Sequence, residues 1–261
     1  GDRIDLRFTC NESPMGSTIA ATPKRRLAVA VTALDAIDRI EILRNEEVIH
    51  THCHQGTWCP PAGGAPARMK LRLEAGWGPL VGELPWPDMA WDLDLRLSSG
   101  QFLDWSPCWR TRGQGVPVLS GDTAQLSFKA EQVVGAKPNQ NGVILELLAD
   151  PAAELTITGN GKTETGPLAE FMAAGRLVWY PEETHERVKQ LTGVVAGPTD
   201  RKDMYYHMSP KLKIHRAIPE AGTTAQVEIE DDAPVGDGLW YRVRVTQRNG
   251  QRAWSSPIWV G

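Results

Sequence analysis

Apolar residues recur at every second position in several short runs along the chain, with polar or small residues between them. Successive side chains of a β-strand point to opposite faces, so a period of two indicates a strand with one buried and one exposed face. The predicted strands are Ile4–Cys10, Leu27–Val31, Arg39–Ile42, Val48–His50, Met69–Leu73 and Leu93–Leu97.

The end of the chain predicts a β-hairpin. Apolar residues alternate with arginines over Tyr241–Val245, Asn249 and Gly250 form a pair suited to a tight turn, and a second run returns over Ala253–Val260. Pro257 lies in this returning run and has no backbone N–H to donate to a neighbouring strand. We therefore expect the returning strand to lie at a sheet edge or to carry a bulge at Pro257.

Helical segments are few and short. Leu168–Ala174 and Glu182–Leu191 each follow a proline, and the second segment ends shortly before Gly193, as is typical of helix starts and stops. Strands and helices do not alternate as they do in a parallel α/β sheet. The pattern predicts an all-β fold with an Ig-like β-sandwich.

Loops rich in glycine and proline divide the chain into blocks. The first block and the last each hold about four predicted strands, fewer than the roughly seven of an Ig-like sandwich. We therefore expect residues 1–58 and 211–261 to complete one discontinuous Ig-like sandwich. Residues 67–210 are then an inserted, β-rich module with one or two short helices.

Composition excludes some classes of partner. The chain has 261 residues and a net charge of −4, so no overall excess of basic residues favours nucleic acid or anionic lipid, although a local basic patch is still open. It also lacks a run of the ~18–20 apolar residues that cross a bilayer. We expect neither nucleic acid nor a membrane as a partner.

The start of the chain and its cysteines bear on its origin. The sequence begins with Gly1 and enters a strand pattern within a few residues, which favours an excised piece of a longer protein. The four cysteines are too few for a disulfide scaffold. This favours the cytosol but leaves the compartment open.

One short segment contains candidate metal ligands. His50, His52 and His54 alternate along a predicted strand, and zinc binds imidazole nitrogen readily. Residues two apart on a strand lie roughly 6.5–7 Å apart, so the three imidazoles can converge on one ion if the strand continues. The preferred interpretation is nevertheless that they are ordinary solvated histidines at the start of a loop.

Tryptophans are numerous in the middle of the chain. The sequence has ten, and five of them, Trp77, Trp86, Trp91, Trp105 and Trp109, fall close together. We expect most of these to pack in a core or an interface. The alternative is that exposed indoles, with Trp77, Trp91, Trp105 and Trp109 as the candidates, stack on sugar rings.

Several motifs together carry a resemblance to a known family. The motifs are Gly1–Ile4 with Asn11–Gly16, Ile37–Asn45, Tyr241–Gln247 and Ala253–Trp259, with Gly76–Gly78 and Trp91 as weaker matches. The chain resembles the C-terminal part of a bacterial family of unknown function. The N-terminal part of that family is similar to the PHP (polymerase and histidinol phosphatase) metal-dependent phosphoesterases.

The resemblance implies that catalysis lies outside this chain. The family's metal-binding histidines and acids belong to a barrel that would precede Gly1, so this chain is expected to be non-catalytic and to hold no cofactor. Its expected partners are the PHP-like domain of the same parent chain or a second copy of itself. Two alternatives stay open: a module that binds carbohydrate or another ligand, and a small zinc site at the His50, His52 and His54 cluster.

Overall fold

The computed structural model describes residues 3–54, 64–76, 89–131, 140–195, 209–236 and 238–261, with the backbone alone described at 183, 187, 188 and 191. The described residues form mostly β-strands and three short helices, which confirms the predicted all-β, sandwich-type class. The chain divides into two compact units, Gly1–Trp58 with Ile218–Gly261, and Cys59–Ala217. In the described part, no helix is long and apolar enough to cross a membrane.

The first unit is built from both ends of the chain. Its strands are β1 Ile4–Cys10, β2 Ser13–Pro14, β3 Thr18–Ile19, β4 Arg25–Ala33, β5 Ile37–Arg44, β6 Glu47–Cys53, β17 Ile218–Pro219, β18 Thr224–Asp231, β19 Leu239–Gln247, β20 Arg252–Trp254 and β21 Ile258–Val260. A single helical turn, α3, spans Glu220–Thr223.

Each of the two sheets of the first unit combines N-terminal and C-terminal strands. One sheet has the order β18-β4-β1-β2, and the other has β3-β21-β19-β5-β6 with β20 also paired to β19. Inward-facing residues from both sheets form one core, in which Phe8, Leu27, Ile40 and Val243 are almost completely buried. Burying each such side chain stabilises the fold by roughly 1.5–3 kcal/mol.

A buried charge cluster joins the two sheets of the first unit. Arg25 is fully buried, and its Nε donates to the Tyr241 hydroxyl at 2.7 Å. A second guanidinium nitrogen donates to the Thr22 carbonyl at 2.5 Å, and the third donates to the Ala233 carbonyl and lies 3.5 Å from an Asp231 oxygen. Tyr241 in turn donates to Asp231. Burial and this hydrogen bond raise the pKa of Tyr241, so the phenol remains a donor.

The predicted C-terminal hairpin forms, and Pro257 divides its returning strand. Gly250 adopts a φ of +85° in the turn. The return is split into β20 and β21, and the Ser255 hydroxyl between them accepts the Val243 N–H at 2.9 Å while the Ser255 N–H donates to the Val243 carbonyl. Ser255 therefore keeps contact with β19 at the point where Pro257 cannot donate.

The second unit contains the other strands and two helices. They are β7 Ala67–Gly76, β8 Met89–Leu97, β9 Gln101–Pro107, β10 Val118–Ser120, β11 Thr123–Ala130, β12 Gln140–Ala149, β13 Glu154–Gly159, β14 Lys162–Pro167, α1 Leu168–Ala173, β15 Arg176–Trp179, α2 Glu182–Thr192 and β16 Lys211–Ile214. One sheet has the order β10-β11-β8-β13-β14, and the other contains β15-β16-β7-β12-β9. The helices α1 and α2 match the two predicted segments to within a residue.

Both sheets of the second unit contribute to a core of their own. Leu95 and Leu126 come from one sheet, and Leu71 and Leu145 come from the other. Gly159 lies against this core: an added Cβ would lie 2.6 Å from a Leu93 methyl carbon, so the Leu93 side chain would have to shift.

The structure corrects one predicted boundary. Lys211–Ile214, expected to open the C-terminal part of the first sandwich, instead pairs with β7 inside the second unit. The boundary accordingly falls after Ala217. The four-residue alternation of Lys211–Ile214 marks a strand but does not reveal the distant strand with which it pairs.

The buried cluster predicts a large difference between two adjacent arginines. Arg25→Met should destabilise the first unit by about 2–5 kcal/mol, because it leaves two carbonyls and the Tyr241 hydroxyl without their donor, while Asp231 keeps its ion pair with Arg44. Tyr241→Phe should cost about 1–3 kcal/mol. Arg26→Met is the control, since Arg26 and its partner Glu228 are exposed and solvent screens their ion pair, so its loss should change stability little.

The measurement is amide hydrogen exchange in Arg25–Ala33 and Thr224–Asp231, because a chain of two units need not unfold in one transition. Equal loss of protection in the Arg25 and Arg26 variants would contradict the structural role of the cluster.

Candidate functional site

The predicted metal ligands lie at the edge strand β6. His50 and His52 pair with Ile42 and Ile40, and directly opposed residues share a face, so both histidines lie on the core-facing side of the sheet. His54 follows the end of β6, and its Nε2 lies 2.6 Å from the Ala221 carbonyl oxygen. In the described ranges, no three His, Cys, Asp or Glu side chains are placed to hold a metal ion. The geometry therefore gives the zinc hypothesis no support.

The predicted ligand-binding tryptophans occupy different environments. Trp77 lies outside the described residues. Trp91 is fully buried and meets Tyr180 edge to face, with ring centroids 5.1 Å apart, so its prediction as a ligand-binding residue is wrong. Trp105 and Trp109 are partly buried against the core of the second unit, and their ring planes are tilted by 41°. They do not form a flat platform for a sugar ring.

A different group of tryptophans lies exposed on the first unit. Trp254 and Trp259 expose 51% and 44% of their surface. Trp240 and Trp259 are directly paired across β19 and β21, with ring centroids 6.1 Å apart. Trp240 and Trp259 point away from the core, because their strand neighbours Tyr241 and Ile258 point into it. Trp254 lies on the same side, because it is paired with Arg244, an outward residue of β19.

Arginines occupy the outward positions between these tryptophans. Arg242 and Arg244 follow Trp240 at every second position of β19, Trp254 is paired with Arg244, and Arg252 is paired with Thr246. Cross-strand pairing places the outward residues of β5 on the same side. We call this surface the Trp–Arg face; it comprises Arg39, Glu41, Trp240, Arg242, Arg244, Thr246, Arg252, Trp254 and Trp259.

The Trp–Arg face carries an excess of positive charge. Its one acid, Glu41, accepts two hydrogen bonds from Arg244, at 2.7 and 2.8 Å. The hydrogen bonds from Arg244 lower the pKa of Glu41, and the charges of Arg39 and Arg252 act in the same direction while burial opposes them. Glu41 is therefore ionised and bound to Arg244. Four arginines against one carboxylate leave a local surplus on a chain whose net charge is −4.

Sequence reasoning missed this face, although the alternation contained the signal. Trp91 is in phase with Leu93 and Leu95, which predicts an inward ring. Trp240 and Trp259 are out of phase with the apolar residues of their strands, which predicts outward rings. The phase of a tryptophan within its strand distinguishes a core residue from a surface residue, whereas the number of nearby tryptophans does not.

A second cluster of charges surrounds Glu74 in the second unit. The Glu74 carboxylate lies 2.5 Å from His215 Nε2 and accepts a hydrogen bond from Arg72 at 2.7 Å. Burial alone would raise the pKa of Glu74, but the hydrogen bond from His215 and the charge of Arg72 outweigh it and lower the pKa to about 2. The carboxylate is thus committed to Arg72 and His215, and the cluster stabilises the sheet.

No protein-family model, curated protein or solved structure matches the chain.

The contrast between the buried and the exposed tryptophans predicts a large loss of stability in one case and almost none in the other. Trp91→Ala should lower the free energy of unfolding of the second unit by about 3–5 kcal/mol, because it empties a buried site. Trp254→Ala, at an exposed position, should change stability by no more than about 0.5 kcal/mol. Thermal unfolding of both variants checks this. A loss at Trp254 as large as that at Trp91 would contradict its exposed placement.

The Glu74 cluster predicts a loss of stability in acid. The folded pKa of about 2 lies below the ordinary value of 4.5, so the carboxylate's contribution is fully present above pH 4.5 and is lost as the pH falls toward 2. The shift corresponds to about 3 kcal/mol. Hydrogen exchange in Ala67–Gly76 between pH 5 and 2 should show this loss in the native chain and a weaker pH dependence in Glu74→Gln. Identical pH profiles would contradict it.

Proposed function

We propose that this chain is a non-catalytic accessory region of a PHP-like protein, and that it packs on the PHP-like domain through the Trp–Arg face. The first unit is in this proposal an Ig-like sandwich, which presents one sheet to the partner. The proposal rests on the family resemblance for the identity of the partner and on the Trp–Arg face for the contact.

The observation that carries the proposal is the exposure of Trp254 and Trp259 beside arginines on one sheet. Tryptophan and arginine are the residues most enriched at the energetic centres of protein interfaces. Exposed aromatic side chains grouped on one surface mark a binding site more often than isolated apolar residues do.

Charge and ring geometry favour a protein partner over a glycan. A sugar ring stacks best on a flat aromatic surface, whereas the ring planes of Trp240 and Trp259 are tilted by 58°. A protein surface can follow the tilted rings with apolar side chains and oppose the arginines with carboxylates. We therefore take an acidic and apolar surface of the PHP-like domain as the occupant.

The test is association of this chain with the separately produced PHP-like domain, measured by calorimetry. We expect a one-to-one complex, and we expect Trp254→Ala with Trp259→Ala to weaken it at least about tenfold, as truncation of a central tryptophan does. Val116→Ala with Val118→Ala is the control, because these exposed residues lie on the second unit. The control should bind as the native chain does.

Two results would overturn the proposal. One is the absence of a complex, or a complex indifferent to the two tryptophans. The other is self-association of this chain that Trp254→Ala and Trp259→Ala abolish, which would assign the face to a second copy instead. Sedimentation velocity of the chain alone separates these outcomes.

A further inference from the structure

Thr246 lies between two arginines on the Trp–Arg face. It is paired with Arg39 of β5 on one side and with Arg252 of β20 on the other. Arg244 lies two residues before it on the same face of β19. Three arginines and one threonine therefore occupy neighbouring outward positions at one corner of the sheet.

Two polar atoms at this corner are buried without a hydrogen-bond partner in the described part of the chain. They are the Thr246 hydroxyl, in a residue that is 7% exposed, and Nε of Arg39. Buried polar groups are nearly always hydrogen-bonded, so two unpartnered atoms at neighbouring positions indicate a place where a ligand completes the bonding. Both groups can donate, so the ligand atom they fit is an acceptor.

The charges at the corner are only partly neutralised. Arg244 is bound to Glu41, and Arg39 Nε lies 3.5 Å from the same carboxylate without making a hydrogen bond. Within the described residues, Arg252 makes no ion pair, and Arg242 donates to the Ser255 carbonyl rather than to an acid. An acceptor at this corner is therefore expected to be anionic.

We infer that Arg39, Thr246 and Arg252 form a binding site for a carboxylate side chain of an acidic protein segment. Glu41 lies beside the site and repels a doubly charged anion more strongly than a carboxylate, which carries a single charge. Trp254, on the neighbouring outward position of β20, offers an apolar surface to the rest of the segment. This inference rests on the proposed function and names the chemistry of the contact.

The test uses the full chain and a capped peptide, acetyl-Gly-Glu-Leu-Glu-Gly-amide, with the corresponding Gln peptide as its neutral counterpart. Chemical shifts of the arginine Nε–H and tryptophan indole N–H groups report binding. We expect saturable shifts at Arg39, Arg252 and Trp254 with the acidic peptide and at least tenfold weaker binding of the Gln peptide. Arg39→Gln with Arg252→Gln should weaken binding of the acidic peptide at least tenfold.

Thr246→Val separates binding from folding, because valine has the same shape and removes only the hydroxyl. We expect it to leave thermal stability unchanged or higher, since the lost hydroxyl has no partner, and to weaken peptide binding severalfold. Arg7→Gln is the control variant, because Arg7 is exposed on β1 of the other sheet. It should bind the peptide as the native chain does.

The inference is overturned if the Gln peptide binds as well as the acidic peptide, or if Arg39→Gln with Arg252→Gln has no effect. It is also overturned if inorganic phosphate at equal ionic strength competes as strongly as the acidic peptide, since the site then prefers a free oxyanion. If the PHP-like domain binds through Trp254 and Trp259 with no dependence on Arg39 or Arg252, the carboxylate site alone fails. If the peptide binds and the domain does not, the proposed function alone fails.

Discussion

The fully buried guanidinium of Arg25 is the constraint on which the first unit depends. A charge without solvent is tolerated only when hydrogen bonds and an opposite charge surround it. Two of its partners, the Asp231 carboxylate and the Tyr241 hydroxyl, come from the far end of the chain. The N-terminal strands cannot bury Arg25 until the C-terminal strands arrive, so the two ends of the chain fold as one unit.

The Trp–Arg face follows from the same packing. Once Tyr241 contacts Arg25 and Val243 and Val245 fill the core, the period of two forces Trp240, Arg242 and Arg244 to the opposite side of β19. The neighbouring strands β20 and β21 add their own outward tryptophans in register. The core therefore determines which residues the protein presents, while their aromatic and cationic character is a separate property of the sequence and needs a functional explanation.

Alternation along the chain, with proline, glycine and asparagine at the ends of the elements, was sufficient to predict the strand class, the C-terminal hairpin and both longer helices, because each depends on residues close together in sequence. It was not sufficient for Lys211–Ile214, whose assignment depends on pairing with β7 more than 130 residues away. The candidate site was missed for another reason. Proximity to other tryptophans makes Trp91 a candidate ligand-binding residue, whereas its phase with Leu93 indicates the core. The outward phase of Trp240 and Trp259 was equally readable. The burial of the Thr246 hydroxyl was not, since an outward position in the alternation predicts exposure.

Net charge is a poor guide to the partner of this chain. At physiological ionic strength, charges are screened over about 8 Å, so a partner that approaches the Trp–Arg face responds to its arginines and only weakly to acids elsewhere. Glu41 is the one acid of the face; it is held by Arg244 and lies 3.5 Å from Arg39, which leaves Arg242 and Arg252 without an acid partner among the described residues. A chain with an overall charge of −4 can therefore attract an acidic surface. Salt should weaken that attraction while leaving the tryptophan contacts largely intact, because burial of apolar area does not depend on long-range charge.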